Sequence, residues 1–555
     1  MPNGPAVAAR AEPSPFYPRI ARFIEFAPHF LLAVLLLVGL VTVFTQAHRY
    51  GISIDEPLQQ RYGVQVFAWY ASLGKDTSFL TAFGSRLHMP EHGGIVDAFI
   101  AALQSRFVGT DSWLMRRIIS GLIGWLGVVA IALAGYELGG SWVAFAAALG
   151  LWLYPRYYGA MYNNPKDIPA AVGMTFVLWA TLQLVNRWND RARALRSSVL
   201  LGCCLGAATA VRVTALTWFG VLAVLLAGWW IINGKLVLRE RRVAAVSLRQ
   251  GAVAGTIVGT WLLSTMVLWP YILLNPIINL VHSIRIMVRY PWYSTELFNG
   301  TYYSGFGLPS SYVPTWLVIG SPPMLLVLAL VGLAIAFTEI VRTRRVNPAV
   351  ATVIVALGLS LAPLVLLHPV LYDALRQFIY IIPIFIILAA YGLVRSVTLL
   401  LRQEQTALRW IAVALVAITL ASYVQVTAEM VALSPYEYTY FSPLVGGIRG
   451  ASGKYETDYW GTCSTAAAGW LRQNYRQYTS TPKPTLAVSQ YLWDLVTPSL
   501  PATFQEDESN PDFFIGYTHE RDDLRYSNYR VIHVVATEGV PLCVVKVNPT
   551  ITKGP

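Results

Sequence analysis

Long apolar runs separated by short basic loops predict a mainly α-helical, polytopic membrane protein with a small mixed α/β domain at its C-terminus. Three observations carry that prediction. Of 555 residues, 55% are hydrophobic and 13% charged, and the mean hydropathy is +0.51, too apolar for a soluble chain of this size. The apolar runs are long enough, singly or with tilted flanks, to cross a hydrocarbon core of ~30 Å. The 18 Trp and 30 Tyr residues suit a chain that meets the membrane interface many times. The net charge of +12 is spread over loops rather than gathered on one soluble face, which argues against nucleic acid as a partner.

In order, the runs are Leu31 to Ala47, Ile118 to Ala134, Trp142 to Tyr154, Ile168 to Val185, Val199 to Ala210, Val213 to Ile232, Ala252 to Leu268, Met324 to Phe337, Val350 to Leu367, Leu375 to Val394 and Trp410 to Val426, eleven in all. The first follows thirty residues and lacks a small-residue cleavage site, so it is expected to stay as a helix rather than be removed as an export signal. Only Val211 and Arg212 split the fifth from the sixth, and the eighth extends back to Trp316 through a kink at Pro322 and Pro323. The basic clusters decide the count. Arg187, Arg191, Arg193 and Arg196 form one, Lys235, Arg239, Arg241, Arg242 and Arg249 a second, Arg342, Arg344 and Arg345 a third, and Arg395, Arg402 and Arg409 a fourth. With Arg10, Arg19 and Arg22 inside, eleven crossings put all four in the cytoplasm, as the positive-inside bias requires, and the C-terminus outside. A multi-pass plasma (inner) membrane protein is expected.

The resulting organisation is a membrane domain, 1–430, with large outer loops at 48–117 and 269–314, and an extracytoplasmic domain, 431–555. Gly94 to Phe107 is amphipathic and suits an interfacial helix. The second loop is rich in aromatics, Pro and Gly, including Trp292, Tyr293, Tyr302 and Tyr303. Ordinary interface anchoring or a lid that orders around a substrate accounts for it. Asn299, Gly300 and Thr301 fit a glycosylation sequon. In the tail, Thr485 to Val488 and Tyr529 to Val535 read as strands and Ser464 to Asn474 as a helix. Its Tyr-, Trp- and acid-rich start serves equally as a saccharide or protein surface or as a folded cap. Cys203 and Cys204 lie in an apolar run as small hydrophobes, while Cys463 and Cys543 fall outside, where a disulfide is chemically permitted. The sequence shows no internal repeat, which weakens an inverted-repeat transporter reading.

The residues able to carry chemistry lie at the outer ends of the helices. Asp55 and Glu56 stand where the first helix leaves the membrane. A carboxylate there is able to take the proton of an attacking hydroxyl; capping a helix end is the plainer role. Asp167, bracketed by Asn-Pro and Ile-Pro, opens the fourth helix, either as a reactive acid or as one that favours the helix dipole. Arg212, between two apolar runs, needs a partner, which a lipid phosphate or outer headgroups supply. Asp373 and Arg376 open the tenth helix; they pair with each other, or Arg376 grips a phosphate through two parallel bonds.

Asp55 and Glu56 with Arg61 and Tyr62 after them, Met115, Arg116 and Arg117 leading into the second helix, and the stretch Tyr162, Asn163, Asn164, Pro165, Lys166, Asp167, Ile168 and Pro169 together resemble the C-type glycosyltransferase superfamily. They are most similar to its branch of protein O-mannosyltransferases and the aminoarabinose transferase of lipid A. The resemblance covers the first half of the chain by motif order and the rest by topology. Two departures stand out: Leu58, Gln59 and Gln60 lengthen the acid-to-Arg spacing, and the stretch from Arg86 to His92 replaces a Lys-Pro-Pro run. The resemblance implies a C-type fold and transfer of one sugar from a polyprenyl-phosphate donor to an acceptor hydroxyl on a glycan, lipid or protein, outside the cytoplasm and with inversion. It implies Asp55 as catalytic base, with Glu56 and Asp167 as further carboxylates. Arg61, Lys166, Arg212 and Arg376 would neutralise the donor phosphate, and Trp292, Tyr293, Tyr302 and Tyr303 would line the donor and acceptor loop.

A flippase for lipid-linked sugars, or a ligase or polymerase using polyprenyl-diphosphate oligosaccharides, would share much of this pattern, although transporters gather their ionisable groups near the bilayer midplane. His88, His92, His282 and His368 lack metal-ligand spacing, and Asp55-Glu56 lacks the intervening residue of an Asp-x-Asp metal-phosphate site. No cofactor and no obligatory divalent metal is expected.

Overall fold

The computed structural model describes residues 16–84, 87–109, 111–240, 243–292, 294–490 and 492–551. Arg10, Arg86, Arg241, Arg242 and Tyr293 lie outside the described residues. Among those described, ten helices are long and apolar enough to cross a membrane: Phe26–Arg49, Ser112–Gly139, Asp167–Asn186, Arg191–Val211, Val213–Arg239, Val243–Leu268, Pro323–Thr343, Pro348–Leu366, Ile381–Leu401 and Thr406–Leu433. The third expected run is a 12-residue helix, Ser141–Trp152, about 18 Å long and too short alone. Pro155, which lacks an N–H and clashes with the preceding turn, restarts it as Pro155–Ala160.

The two pieces together span a comparable distance. They run back along Ser112–Gly139, with Gly135 against Ala144, Gly127 against Tyr157, Gly124 against Met161 and Gly121 against Tyr162. From Gly139 back to Gly121 the helix rises about 27 Å, a full hydrocarbon thickness. Glycine is required for the close approach: a Cβ on Gly127 would lie 2.0 Å from the Tyr157 hydroxyl. Among the described residues, the eleven expected runs are therefore ten helices long enough to cross and one composite segment of comparable length.

Arg212 is extended, φ −149° and ψ 131°, between two helices, so the fifth and sixth crossings stay separate. The eighth is not one kinked helix from Trp316. Tyr312–Ile319 ends at Gly320 and a new helix starts at Pro323.

Ion pairs Arg187–Glu137 and Arg395–Glu339, at 2.9 and 2.7 Å, tie helices together at one end of the bundle. The outer loops and the C-terminal sheet gather at the opposite end. The first loop forms the helices Glu56–Ala71 and Ile95–Arg106, packed on each other. In the second, Pro270–Leu274 and Pro276–Val288 precede an antiparallel hairpin, Thr295–Phe298 with Thr301–Ser304. Asn299 and Gly300 turn it with φ +51° and +80°, the left-handed pair a two-residue hairpin turn demands.

The tail folds into a helix, Cys463–Asn474, on a five-stranded sheet. In spatial order its strands are Gln505–Glu506, Thr485–Val488, Phe513–Tyr517, Val540–Val547 and Arg530–Thr537. The first three pair in parallel and the last two antiparallel. A Cys463–Cys543 disulfide joins the helix to the sheet.

Candidate active site

Arg376 is the hub of the charged cluster. The crossing expected to begin at Leu375 begins at Ile381, leaving Leu375 to Tyr380 as a short turn. Asp373 and Ala374 before it adopt φ +58° and +62°, a conformation that costs non-glycine residues on the order of 1–2 kcal/mol each. Arg376, 7% exposed, donates Nε to Asp167 Oδ2 at 3.0 Å and Nη1 to Asp373 Oδ2 at 2.7 Å, and its Nη2 pairs with Asp55 Oδ2. Arg212 pairs with the other oxygen of Asp167. Burial opposes the Arg376 charge, but Asp55, Asp373 and Asp167 overrule it and hold its pKa well above the ordinary value. Asp373 is shifted upward by burial, with Arg376 acting against the shift.

Asp167 is placed by Asn164, whose side-chain oxygen accepts from the amides of Lys166 and Asp167 at 3.1 and 2.8 Å and whose Nδ2 donates to Asp167 Oδ2 at 3.0 Å. This Asx turn converts Asn-Pro-Lys-Asp into a helix start with its acid at the positive end of the dipole. Lys166 is buried beside the cluster. With its amide oriented to satisfy both neighbours, Gln59 accepts from Lys166 Nζ at 2.9 Å and donates to Asp97 at 3.2 Å. Burial, partly offset by Asp97 and Asp55, lowers the Lys166 pKa to about 8.

The two adjacent acids face different partners. Asp55, 29% exposed, meets Arg376, whereas Glu56 is buried. Its carboxylate accepts from Ser53 N at 2.7 Å and lies 3.5 Å from Arg116, which also holds Asp97 at 2.5 Å. Burial, opposed by Arg116, pushes the Glu56 pKa up to about 7. Glu56 thus sits in a network behind Asp55 rather than in the Arg376 cluster.

Arg61 also lies outside the cluster, in an exposed 3.0 Å pair with Asp494 of the C-terminal region, a type of contact worth about 0–1 kcal/mol. Trp292 stacks on Tyr372 at 3.9 Å and 8° between planes, and the Arg376 guanidinium lies 5.9 Å from the Tyr372 ring. Tyr302 and Tyr303 belong to the second hairpin strand, Tyr303 packing edge-on to Phe298 at 6.4 Å. Tyr293 lies outside the described residues.

Several neighbours escape a reading of the sequence alone. Asn164 was legible as an Asn-Pro turn and Arg116 as part of the resemblance; the roles of Gln59, Asp97 and Tyr290, and the Arg116 pairing with Glu56 and Asp97, were not. Tyr290 packs 5.7 Å from His92, and its pKa is raised by burial and by Asp55 and lowered by Arg376 and Arg212. His92 is held well below the usual imidazole range by burial and by Lys166 and Arg212. Among the described residues, no group of three or more His, Cys, Asp and Glu side chains is arranged to hold a metal ion. Three cations and a part-exposed carboxylate converge here, a set able to bind an anion and accept a proton.

No protein-family profile matches the chain, and no curated protein sequence matches it. Solved structures do. The fold is similar to that of ArnT from Cupriavidus metallidurans bound to undecaprenyl phosphate, with a TM-score of 0.50 and 15% identity over 95% of this chain and 98% of that one. It is also similar to the archaeal oligosaccharyltransferase AglB from Archaeoglobus fulgidus in complex with an inhibitory peptide and a dolichol-phosphate, with a TM-score of 0.53 and 11% identity over 89% of this chain and 70% of that one. The apo oligosaccharyltransferase of Archaeoglobus fulgidus gives a TM-score of 0.50 and 14% identity over 86% and 64% of the two chains. The architecture, a multi-pass helical membrane protein with a small C-terminal sheet, is the C-type glycosyltransferase fold.

Proposed function

We propose that this chain is an inverting membrane glycosyltransferase that moves a single sugar from a polyprenyl-phosphate donor to an acceptor hydroxyl on a glycan, lipid or protein. The observation that carries this reading is a part-exposed Asp55 paired with the buried Arg376, with the half-buried Arg212 and the buried Lys166 in the same cluster at one end of a C-type bundle. A donor phosphate competes with the carboxylates for the guanidinium N–H groups, and Arg376 is suited to hold it through two bonds. Released from Arg376, Asp55 takes the hydroxyl proton as the acceptor oxygen bonds to the anomeric carbon. The carbon–phosphate-oxygen bond breaks, and polyprenyl phosphate leaves with the electron pair. That leaving group is stable as an anion, so no general acid is needed, and direct displacement inverts the sugar.

The basic clusters at the opposite end of the bundle support a cytoplasmic location for that end. The site and the C-terminal domain, 431–555, are then extracytoplasmic, the N-terminus cytoplasmic, and the membrane the plasma membrane. Arg376 and Arg212 pair with Asp55, Asp167 and Asp373, and Lys166 lies beside them, so three cations face three carboxylates, which supports charge stabilisation by the chain's own cations rather than by an obligatory divalent metal. The location of the charges at helix ends favours transfer over lipid flipping.

The test is to incubate purified protein with a panel of polyprenyl-phosphate sugars and candidate acceptors, following free polyprenyl phosphate and the anomeric configuration of the product. Release with inversion is expected. Turnover only of diphosphate-linked oligosaccharides, or retention, would refute the reading.

A further inference from the structure

We infer that Glu296 is a positioning residue that holds Arg376 in place and links it, through the hairpin, to the C-terminal region. Glu296 is fully buried on the first hairpin strand. Its Oε2 accepts from Asp373 N at 2.8 Å, and its Oε1 accepts from Ala374 N at 3.2 Å and from the Tyr312 hydroxyl at 2.8 Å. Those two amides belong to the consecutive left-handed residues that precede Arg376. Successive N–H groups in such a turn form a concavity that attracts an anion, and the Glu296 carboxylate fills it. Burial, with Glu456 and Asp373 nearby, pushes the Glu296 pKa up to about 8, and both of its oxygens are committed to the turn amides and Tyr312, so the turn it stabilises accounts for a polar group buried here. The same turn sets both Asp373 and Arg376, which are joined at 2.7 Å.

The other edge of the strand is held from the C-terminal region. Glu520 accepts from Thr295 N at 2.8 Å, Glu456 accepts from Leu297 N at 3.4 Å and pairs with His519 at 2.8 Å, and Lys454 O accepts from Gly300 N at 2.8 Å. Thr295 and Leu297 thus present their amides to the C-terminal region while the Glu296 side chain, on the intervening residue, reaches the turn. This inference rests on the proposed function only for its effect on turnover; the local geometry stands without it.

Two readouts on the full-length protein in nanodiscs test it. Hydrogen–deuterium exchange of the peptide spanning residues 370–380 is compared between wild type, Glu296→Gln and Tyr312→Phe. Glu296→Gln is expected to speed exchange at Asp373 and Ala374 about tenfold or more, because its NH2 group confronts an amide donor, and Tyr312→Phe about threefold. Transfer is then measured for Glu296→Gln alone, Arg376→Lys alone and the double variant. Glu296→Gln is expected to lower kcat/KM about tenfold or more alone but less than twofold once Arg376 is Lys. Unchanged exchange at both amides, or effects that multiply in the double variant, would overturn the inference. If Glu296→Gln does not fold, Tyr312→Phe decides by exchange alone. If the wild type transfers from none of the donors, the proposed function fails while exchange still decides this inference.

Discussion

Asp55→Asn separates chemistry from binding and from folding. The substitution keeps side-chain shape but removes the group able to take a proton. General-base catalysis contributes ~10²–10⁴-fold, or about 3–5.5 kcal/mol of barrier, so kcat is expected to fall by roughly a thousandfold. Arg376 loses one of its three carboxylates but keeps Asp167 at 3.0 Å and Asp373 at 2.7 Å, so the phosphate-binding cation stays anchored. Asp55 is 29% exposed, and losing such a solvent-screened pair costs about 1 kcal/mol, a shift in Tm of about 1–2 °C in a chain this long. Donor affinity is expected to stay within about threefold or to tighten, since a competing carboxylate is gone. The assay is release of polyprenyl phosphate under saturating donor, with binding of undecaprenyl phosphate and thermal melting in parallel. A variant whose kcat stays within about threefold of wild type would refute the assignment of the base.

Arg212→Ala should raise the donor KM about tenfold or more with a smaller change in kcat, because only a phosphate-bearing ligand uses the lost charge; an unchanged KM would leave Arg212 as a partner of Asp167 alone. The buried His519–Glu456 pair makes stability depend on pH. Burial opposes the imidazolium, but Glu456 overrules it and lifts the His519 pKa to about 10. A raised pKa means the contribution is fully present below the unfolded value of ~6.5 and fades as pH climbs toward 10. The Tm gap between wild type and His519→Gln should therefore be widest near pH 6, narrow steadily above it and close by about pH 10, and a gap that grows with pH over that range would contradict the pairing. Saturating chelator should leave turnover within about twofold, and loss of activity restored by a divalent cation would show that guanidinium charge alone is insufficient.

Sequence by itself determined which runs become long apolar segments and at which end of them the candidate site residues gather. Hydropathy and loop charge are sums of local transfer energies, so the run from Trp142 to Tyr154 was legible as one although Pro155 breaks it into two short helices. The Asp55, Asp167, Arg212 and Arg376 level was legible for the same reason: each sits where an apolar run ends. Only tertiary packing decided which side chains meet. Asp55 and Glu56 are neighbours in the chain, yet one faces Arg376 and the other Arg116, because side-chain direction around a helix start is set by the elements packed against it. Arg61 is drawn away to Asp494 by a short helix, Trp493–Val496, encoded far along the sequence. Phe513–Tyr517, buried on both faces, has none of the alternation that marks a half-exposed strand. Glu296 reads as an ordinary loop acid until Asn299 and Gly300 fold the hairpin and bring its carboxylate against two amides 77 and 78 residues away. Contacts at such separations follow from the whole packed chain, and no local energy in the sequence reports them.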